Sequence, residues 1–217
     1  MAGLRERKKQ RTRRALIEAA LRLFEEKGYA ETTLAEIAAE AEVSTRTFFS
    51  YFASKEDLVF HDGPERLEKA LALLATRRPG ETPSALLLRL IEASFDWAAQ
   101  DGDLTPEEAR LRTRLIMTEP ALQGRALLLL FDSQLKLARA LHDAFPGELD
   151  LVEAATAVGS LIGSVKLAVM ANLEHDRSIE QIWGTARRAA ELTLGGLRSL
   201  DEQAAARVRA GAPGMAS

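Results

Sequence analysis

Residues 33–52 read TLAEIAAEAEVSTRTFFSYF, and the order of residue types in this stretch decides the fold. Thr33 with Glu36 three positions later is a capping-box pattern, and Leu34, Ile37, Ala38 and Ala41 then recur at helical spacing. Glu42 and Val43 leave room only for a tight connection before Ser44, which is placed to cap a second helix running to about Phe52. Two short amphipathic helices joined by about three residues, with the small Ala38 where they cross, predict a helix-turn-helix. Val43 and Phe48 fill the angle between the helices. Thr45, Arg46, Thr47 and Ser50 are left as a polar strip of short donors and acceptors plus one guanidinium, which is equipped to read base edges. The same residues are also compatible with an ordinary helical hairpin.

Upstream, Leu16, Ala19, Ala20, Leu23 and Phe24 fit one face of a helix that Gly28 stops. Residues 1–14 carry seven Lys and Arg against one Glu, a charge of +6, which leaves −9 for the remainder of a chain whose net charge is −3. A basic arm on an acidic body suggests an anionic polymer touching one end; a solvated N-terminus is the alternative. Downstream, Ser54 with Asp57 starts a fourth helix. Thr82 before Pro83, Thr105 before Pro106 with Glu108, Pro120, and Ser178 with Gln181 each precede a long Leu/Ala-rich segment. No alternating run of strand length appears, so the chain reads as all-α with about nine helices. Residues 76–83 and 100–105 read as loops, and 204–217 as a frayed tail.

Composition agrees. Of 217 residues, 47% are hydrophobic and 28% charged, ordinary for a globular chain, and Leu and Ala outweigh the β-branched residues that sheets prefer. Cysteine is absent, which removes disulfides, thiolate metal sites and thiol nucleophiles. Glu18, Arg22 and Glu25 interrupt any secretory h-region, so a cytoplasmic location is expected. Residues 154–173 have the length of a membrane span, but Lys166 near the middle costs about 2.5 to 3.5 kcal/mol on insertion, and the segment reads as a buried helix.

The span from about Lys8 to Leu58 resembles the DNA-binding domain of the TetR family of bacterial transcriptional regulators. The carrying motifs stand at residues 13–29, 32–38 and 43–58, ending in VSTRTFFSYFASKEDL. The resemblance implies a dimer whose third helix enters the major groove while the second helix and the start of the fourth grip phosphates. By position, Thr33 would bind one phosphate at a helix start, Tyr51 and Lys55 would each meet another, and Ser44, Thr45, Arg46, Thr47 and Phe49 would line the groove. The family usually has Gly before the Val of the turn, where this chain has Glu42, at a position that suits left-handed backbone. Gly63 and Pro64 interrupt what the resemblance would make one continuous helix, so a break is expected there.

The resemblance further implies three regions: residues 1–58 for DNA binding with the basic arm, 59–200 for effector binding and dimerisation, and 201–217 as a flexible tail. Leu90, Phe95, Trp97, Leu115, Met117 and Phe131 are candidates to line a cavity for a small hydrophobic or amphipathic effector, although core packing explains them equally. Ala155, Gly159 and Gly163 recur every four residues, as do Ser160, Ser164 and Ala168, so another helix can approach closely. With the family habit of dimerising through its last two long helices, that marks residues 152–173 and 179–197 as the dimer helices.

Catalysis finds little support. Ser133 and Lys136 satisfy S-x-x-K, but the companion signatures are missing and the pair has helical spacing. His61, His142 and His175 lie far apart, and no phosphate-cradling Gly loop or metal motif exists, so no cofactor is expected. The chain therefore reads as a homodimeric, ligand-released repressor of a palindromic duplex DNA operator. A ligand-independent DNA-binding regulator is the second reading, and a helical enzyme or scaffold a remote third.

Overall fold

The computed structural model describes residues 3–100, 105–173, 179–196 and 198–211. Among them the chain is all-α, with eleven helices and no strand. The helices are α1 (Leu4–Lys27), α2 (Leu34–Glu40), α3 (Thr45–Phe49), α4 (Lys55–Val59), α5 (Gly63–Leu74) and α6 (Pro83–Gln100). They continue with α7 (Pro106–Thr118), α8 (Pro120–Ala144), α9 (Leu151–Leu173), α10 (Ile179–Gly196) and α11 (Arg198–Gly211). The count exceeds nine partly because α4 and α5 are separate helices. Pro64 is the second residue of α5, in the first turn, where a missing N–H costs no intrahelical bond.

The predicted start signals work as read. Thr33–Glu36 and Thr105–Glu108 both form reciprocal capping boxes, and Ser44 and Ser54 accept from the backbone N–H three residues on. Pro83 and Pro120 open their helices. The Ser178 start and the 101–104 connection lie outside the described residues.

Contacts divide the chain into two compact units. The first comprises residues 1–63 and 102–129, the second 64–101 and 130–217, a division that differs from the linear boundary drawn after residue 58. In the first unit Leu16, Ile17, Ala20 and Phe24 of α1 pack with Ile37, Ala38, Phe48, Phe52 and Leu58. Leu111 and Leu115 of α7 and Leu122 of α8 complete that core. Ion pairs follow the same seam: Arg14 to Glu108 at 3.0 Å, Arg112 to Asp62 at 3.0 Å and Arg125 to Asp57 at 2.9 Å.

The second unit is built around Leu74, Leu86, Leu87, Leu141, Phe145 and Leu161, with α9 and α10 as its most extensive helix pair. Arg77 braces it, stacking 3.9 Å from the Phe145 ring centroid and pairing with both carboxylate oxygens of Glu148 at 2.8 and 3.0 Å. The expectation of a loose tail from residue 201 fails for 198–211, which are helical. Asp201 accepts from the Ser84 N–H at the start of α6, and Arg207 is bidentate to Glu153, so α11 is tied down at two points. The expectation that residues 154–173 are buried also needs correction. Leu151–Ala171 is long and apolar enough to cross a membrane by length and composition, but only one face, with Ala154, Ala157, Val158 and Leu161, is buried. Val152 and Leu167 are 75% and 65% exposed.

Candidate nucleic-acid interface

The turn between α2 and α3 is a complete Schellman motif. The Val43 N–H donates to the Ala38 carbonyl at 2.9 Å and the Glu42 N–H to the Ala39 carbonyl at 3.0 Å, which satisfies two of the carbonyls that the end of α2 leaves open. The geometry requires left-handed backbone at Glu42, and its φ is 55°, the one positive value outside glycine among the described residues. The turn thus accepts Glu without changing its hydrogen bonds, at a steric cost of about 1 kcal/mol. Two ion pairs, Lys27–Glu36 and Arg22–Glu40, hold α2 against α1 from its two ends.

Phe48 is fully buried and anchors α3, and its ring meets Phe49 edge-on at 5.6 Å. Phe49 itself is 53% exposed, which is unusual for so large an apolar ring on a five-residue helix. Thr45 and Arg46 share that exposure. Ser44 and Thr47 are less available than their sequence suggests, because their hydroxyls bond each other at 2.8 Å while Ser44 also caps the Thr47 N–H at 3.0 Å. Ser50 donates to the Thr47 carbonyl at 2.6 Å, and α3 ends at Phe49 instead of running to Phe52. The surface left for bases is therefore Thr45, Arg46 and Phe49.

The phosphate candidates are rearranged too. The Thr33 N–H and hydroxyl both donate to Glu36, at 2.8 and 2.6 Å, so a carboxylate already sits where an anion was expected. Lys27 first, and then Thr33, hold that carboxyl down to about pKa 2. Lys55 donates to the carbonyls of Tyr29 at 2.7 Å and Thr32 at 3.2 Å, with its ammonium 4.2 Å from the Tyr29 ring centroid. It thereby closes the loop between α1 and α2, with one of its three protons left for a phosphate. Burial, and then the acceptor Glu56 at 2.8 Å, push the Tyr29 phenol well above its ordinary range. Tyr51 is half-buried at the far end of α3.

The basic arm is helical from Leu4 onward. Arg13 and Arg14 do not face an outside partner: Arg13 donates to the His61 carbonyl at 2.7 Å and lies 5.9 Å from the Phe52 ring centroid, and Arg14 pairs with Glu18 and Glu108. Arg5, Lys8 and Lys9, with Glu6, form one wall of an open cleft whose other wall is Thr47, Ser50 and Tyr51. Sequence reasoning read the arm as charge for an anionic polymer, with a solvated N-terminus as the alternative, and did not read it as a helical wall. The signal was present in the i, i+3, i+4 spacing of the three cations.

The six effector candidates are divided between the two units. Leu115 is buried in the core of the first unit, Met117 lies in the same unit but is 36% exposed, and Leu90 is buried in the core of the second. Phe131, in the second unit, is 61% exposed. Phe95 pairs instead with Trp183, at 6.3 Å between centroids, and Trp97 packs on the second unit's core. The two small-residue strips of α9 separate. Ser164 bonds Thr193 of α10 at 2.6 Å and so sits in the intramolecular crossing, whereas Ser160 of the same strip is exposed. Ala155 is exposed, and a Cβ placed on Gly159 or Gly163 would meet nothing within 4 Å. Lys136 pairs with Asp132 at 2.7 Å and Ser133 turns to the Leu130 carbonyl, which separates the S-x-x-K side chains. His142 bonds the Leu149 carbonyl at 2.8 Å, and His175 lies outside the described residues.

Comparison with known proteins accounts for this arrangement. Residues 16–61 match the model of the bacterial regulatory proteins of the tetR family. The HTH-type transcriptional regulator TcmR of Streptomyces glaucescens is 37% identical over 140 residues, covering 63% of this chain and 62% of that protein. HbdR of Aromatoleum sp. (strain CIB) is 48% identical over 48 residues, 22% of this chain and 21% of that one. The chain thus spans under two thirds of the length of each of these relatives. Among solved structures, a protein described as a TetR-family transcriptional regulator from Mesorhizobium loti superposes with a TM-score of 0.55 at 20% identity, over 86% of this chain and 96% of that one. The fatty acid degradation regulator FadR from Bacillus halodurans gives 0.57 at 21% identity, over 85% and 98%. Over residues 16–61 the chain is thus similar to the bacterial regulatory proteins of the tetR family, and it shares the fold of solved structures described as members of that family.

Proposed function

We propose that the chain is a transcriptional regulator that binds a palindromic duplex operator as a homodimer, in the cytoplasm, and is released when a small hydrophobic or amphipathic molecule enters the second unit. The observation that carries this reading is the α2–turn–α3 unit, where a buried Phe48 and a hydrogen-bonded turn at Glu42 present Thr45, Arg46 and Phe49 outward on a rigid support. Such a surface suits the major groove: the guanidinium matches the paired acceptors of G, and the Phe49 ring and Thr45 methyl match the thymine methyl. Tyr51, the remaining proton of Lys55 and the two unpaired N–H groups at the start of α2 are assigned to phosphates. Homodimerisation is assigned to the open face of α9 around Ala155, Gly159 and Gly163, with α10 beside it. The aromatic groups Phe95, Trp97 and Trp183 favour an apolar effector. Catalysis and a cofactor form no part of the reading.

The test is selection of bound sequences from random duplex DNA by the purified chain, followed by Arg46→Ala on the best site. A half-site consensus containing a G is expected, and the variant is expected to lose about 1 to 3 kcal/mol on that site and much less on random duplex. Equal losses on both would reduce Arg46 to a phosphate contact, and failure to enrich any sequence would end the reading.

A further inference from the structure

We infer that the first turns of α1 are a rigid basic wall that holds one sugar-phosphate strand of the duplex against α3. The inference rests on the DNA-binding function proposed above and adds a binding cleft to it. Arg5, Lys8 and Lys9 fall on one face of α1 at i, i+3 and i+4, all three are exposed, and together they face Thr47, Ser50 and Tyr51 across the cleft. Arg7 and Arg11 are not among the residues that line the cleft, and Arg13 and Arg14 are committed to the first unit's own core and seam. A charged tail would use its seven cations alike. A helix selects three of them.

The chemistry of the cleft fits a phosphodiester strand. One wall supplies three cations against the single carboxylate of Glu6, whose Oε1 accepts from the Gln10 Nε2 at 3.1 Å. The other wall is Thr47 of α3 with Ser50 and Tyr51 just beyond its end, beside the Thr45 and Arg46 that α3 exposes. A strand in this cleft therefore lies one helix face away from the bases that α3 reads, and its phosphates would fix the register in which Arg46 meets them. An acidic protein segment offers similar charge, but nothing in it would require the neighbouring base-reading face.

The full-length chain tests the wall with three variants on the best selected duplex and on random duplex, between 50 and 200 mM salt. Arg5→Ala/Lys8→Ala/Lys9→Ala removes the charges. Gln10→Pro keeps every charge but removes the 10-to-6 backbone bond and unwinds the wall, well ahead of the first buried residue, Leu16. Glu6→Gln removes the opposing carboxylate. The triple variant and Gln10→Pro should each weaken binding about tenfold or more on both DNAs, and the triple variant should flatten the log K against log[salt] slope by up to about 5 for a dimer. Glu6→Gln should bind more tightly at low salt. Wild-type affinity in Gln10→Pro beside a loss in the triple variant would mean a loose tail, and overturn the wall. Wild-type affinity in both would show the cleft to be idle. If the parent chain binds acidic peptides but no duplex DNA, the functional reading falls and the wall with it, an outcome separate from indifferent variants of a chain that does bind DNA.

Discussion

Glu42 shows how a single position carries both fold and strain. Its φ of 55° is what the Schellman geometry needs, and an L side chain adopts it only under steric pressure. Glu42→Gly should therefore raise the stability of the first unit by up to about 0.5 kcal/mol, the strain relieved less the larger unfolded-state entropy of Gly, as read from its thermal unfolding. His61 is a second such position. It is 7% exposed, bonds the Leu58 carbonyl at 3.1 Å and is held below its ordinary pKa, chiefly by burial and then by Arg112 and Arg13, with Asp62 opposing. Below about pH 6.5 the unfolded chain takes up a proton that the folded chain resists, so stability falls with pH at up to about 1.4 kcal/mol per pH unit until the depressed folded pKa is reached. Melting at pH 7.5 and 5.5 should show this loss, and His61→Gln should reduce it even if the variant is less stable overall. Retention of the full pH dependence in the variant would assign it to other groups.

Among the elements, α9 has one edge closed within the protomer and one edge left open, to which the proposed dimer contact is assigned. Its Ser164 edge is closed by Thr193, whereas the Gly159 edge has open room. Gly159→Arg should therefore leave the protomer folded, even gaining some helix propensity, while sedimentation shows dimer giving way to monomer. A variant that remains fully dimeric would move the interface elsewhere. The element scale also shows what a sequence can carry. Thr33–Glu36, Thr105–Glu108, Ser44 and Ser54 were legible because a cap is a contact between residues three apart. The docking of Leu111 and Leu115 onto α1 was not, because helical periodicity says that a face is apolar without saying which apolar face it meets. Lys55 was only partly legible for a related reason: a Lys in a motif carries no mark that two backbone carbonyls, 26 and 23 residues upstream, have already taken two of its protons.

At the scale of the molecule, the unit that holds the helix-turn-helix is not simply the first stretch of chain. Leu111, Leu115 and Leu122 are each less than a tenth exposed within its core. At about 1.5 to 3 kcal/mol for each buried side chain, they contribute about 4 to 9 kcal/mol, comparable with the entire stability of a small domain. A fragment of residues 1–63 should consequently lack a cooperative melt by circular dichroism, although it contains the whole helix-turn-helix. A sharp transition close to that of the full chain would contradict this.

The same discontinuity sets a schedule during synthesis. The ribosome makes residue 63 long before residue 129, and at about 5 to 20 residues per second the interval is about 3 to 13 seconds. Throughout it the nascent chain carries its cationic arm and an uncovered apolar face of α1, so the duplex binding proposed above would have to wait until the returning segment arrives and closes the unit.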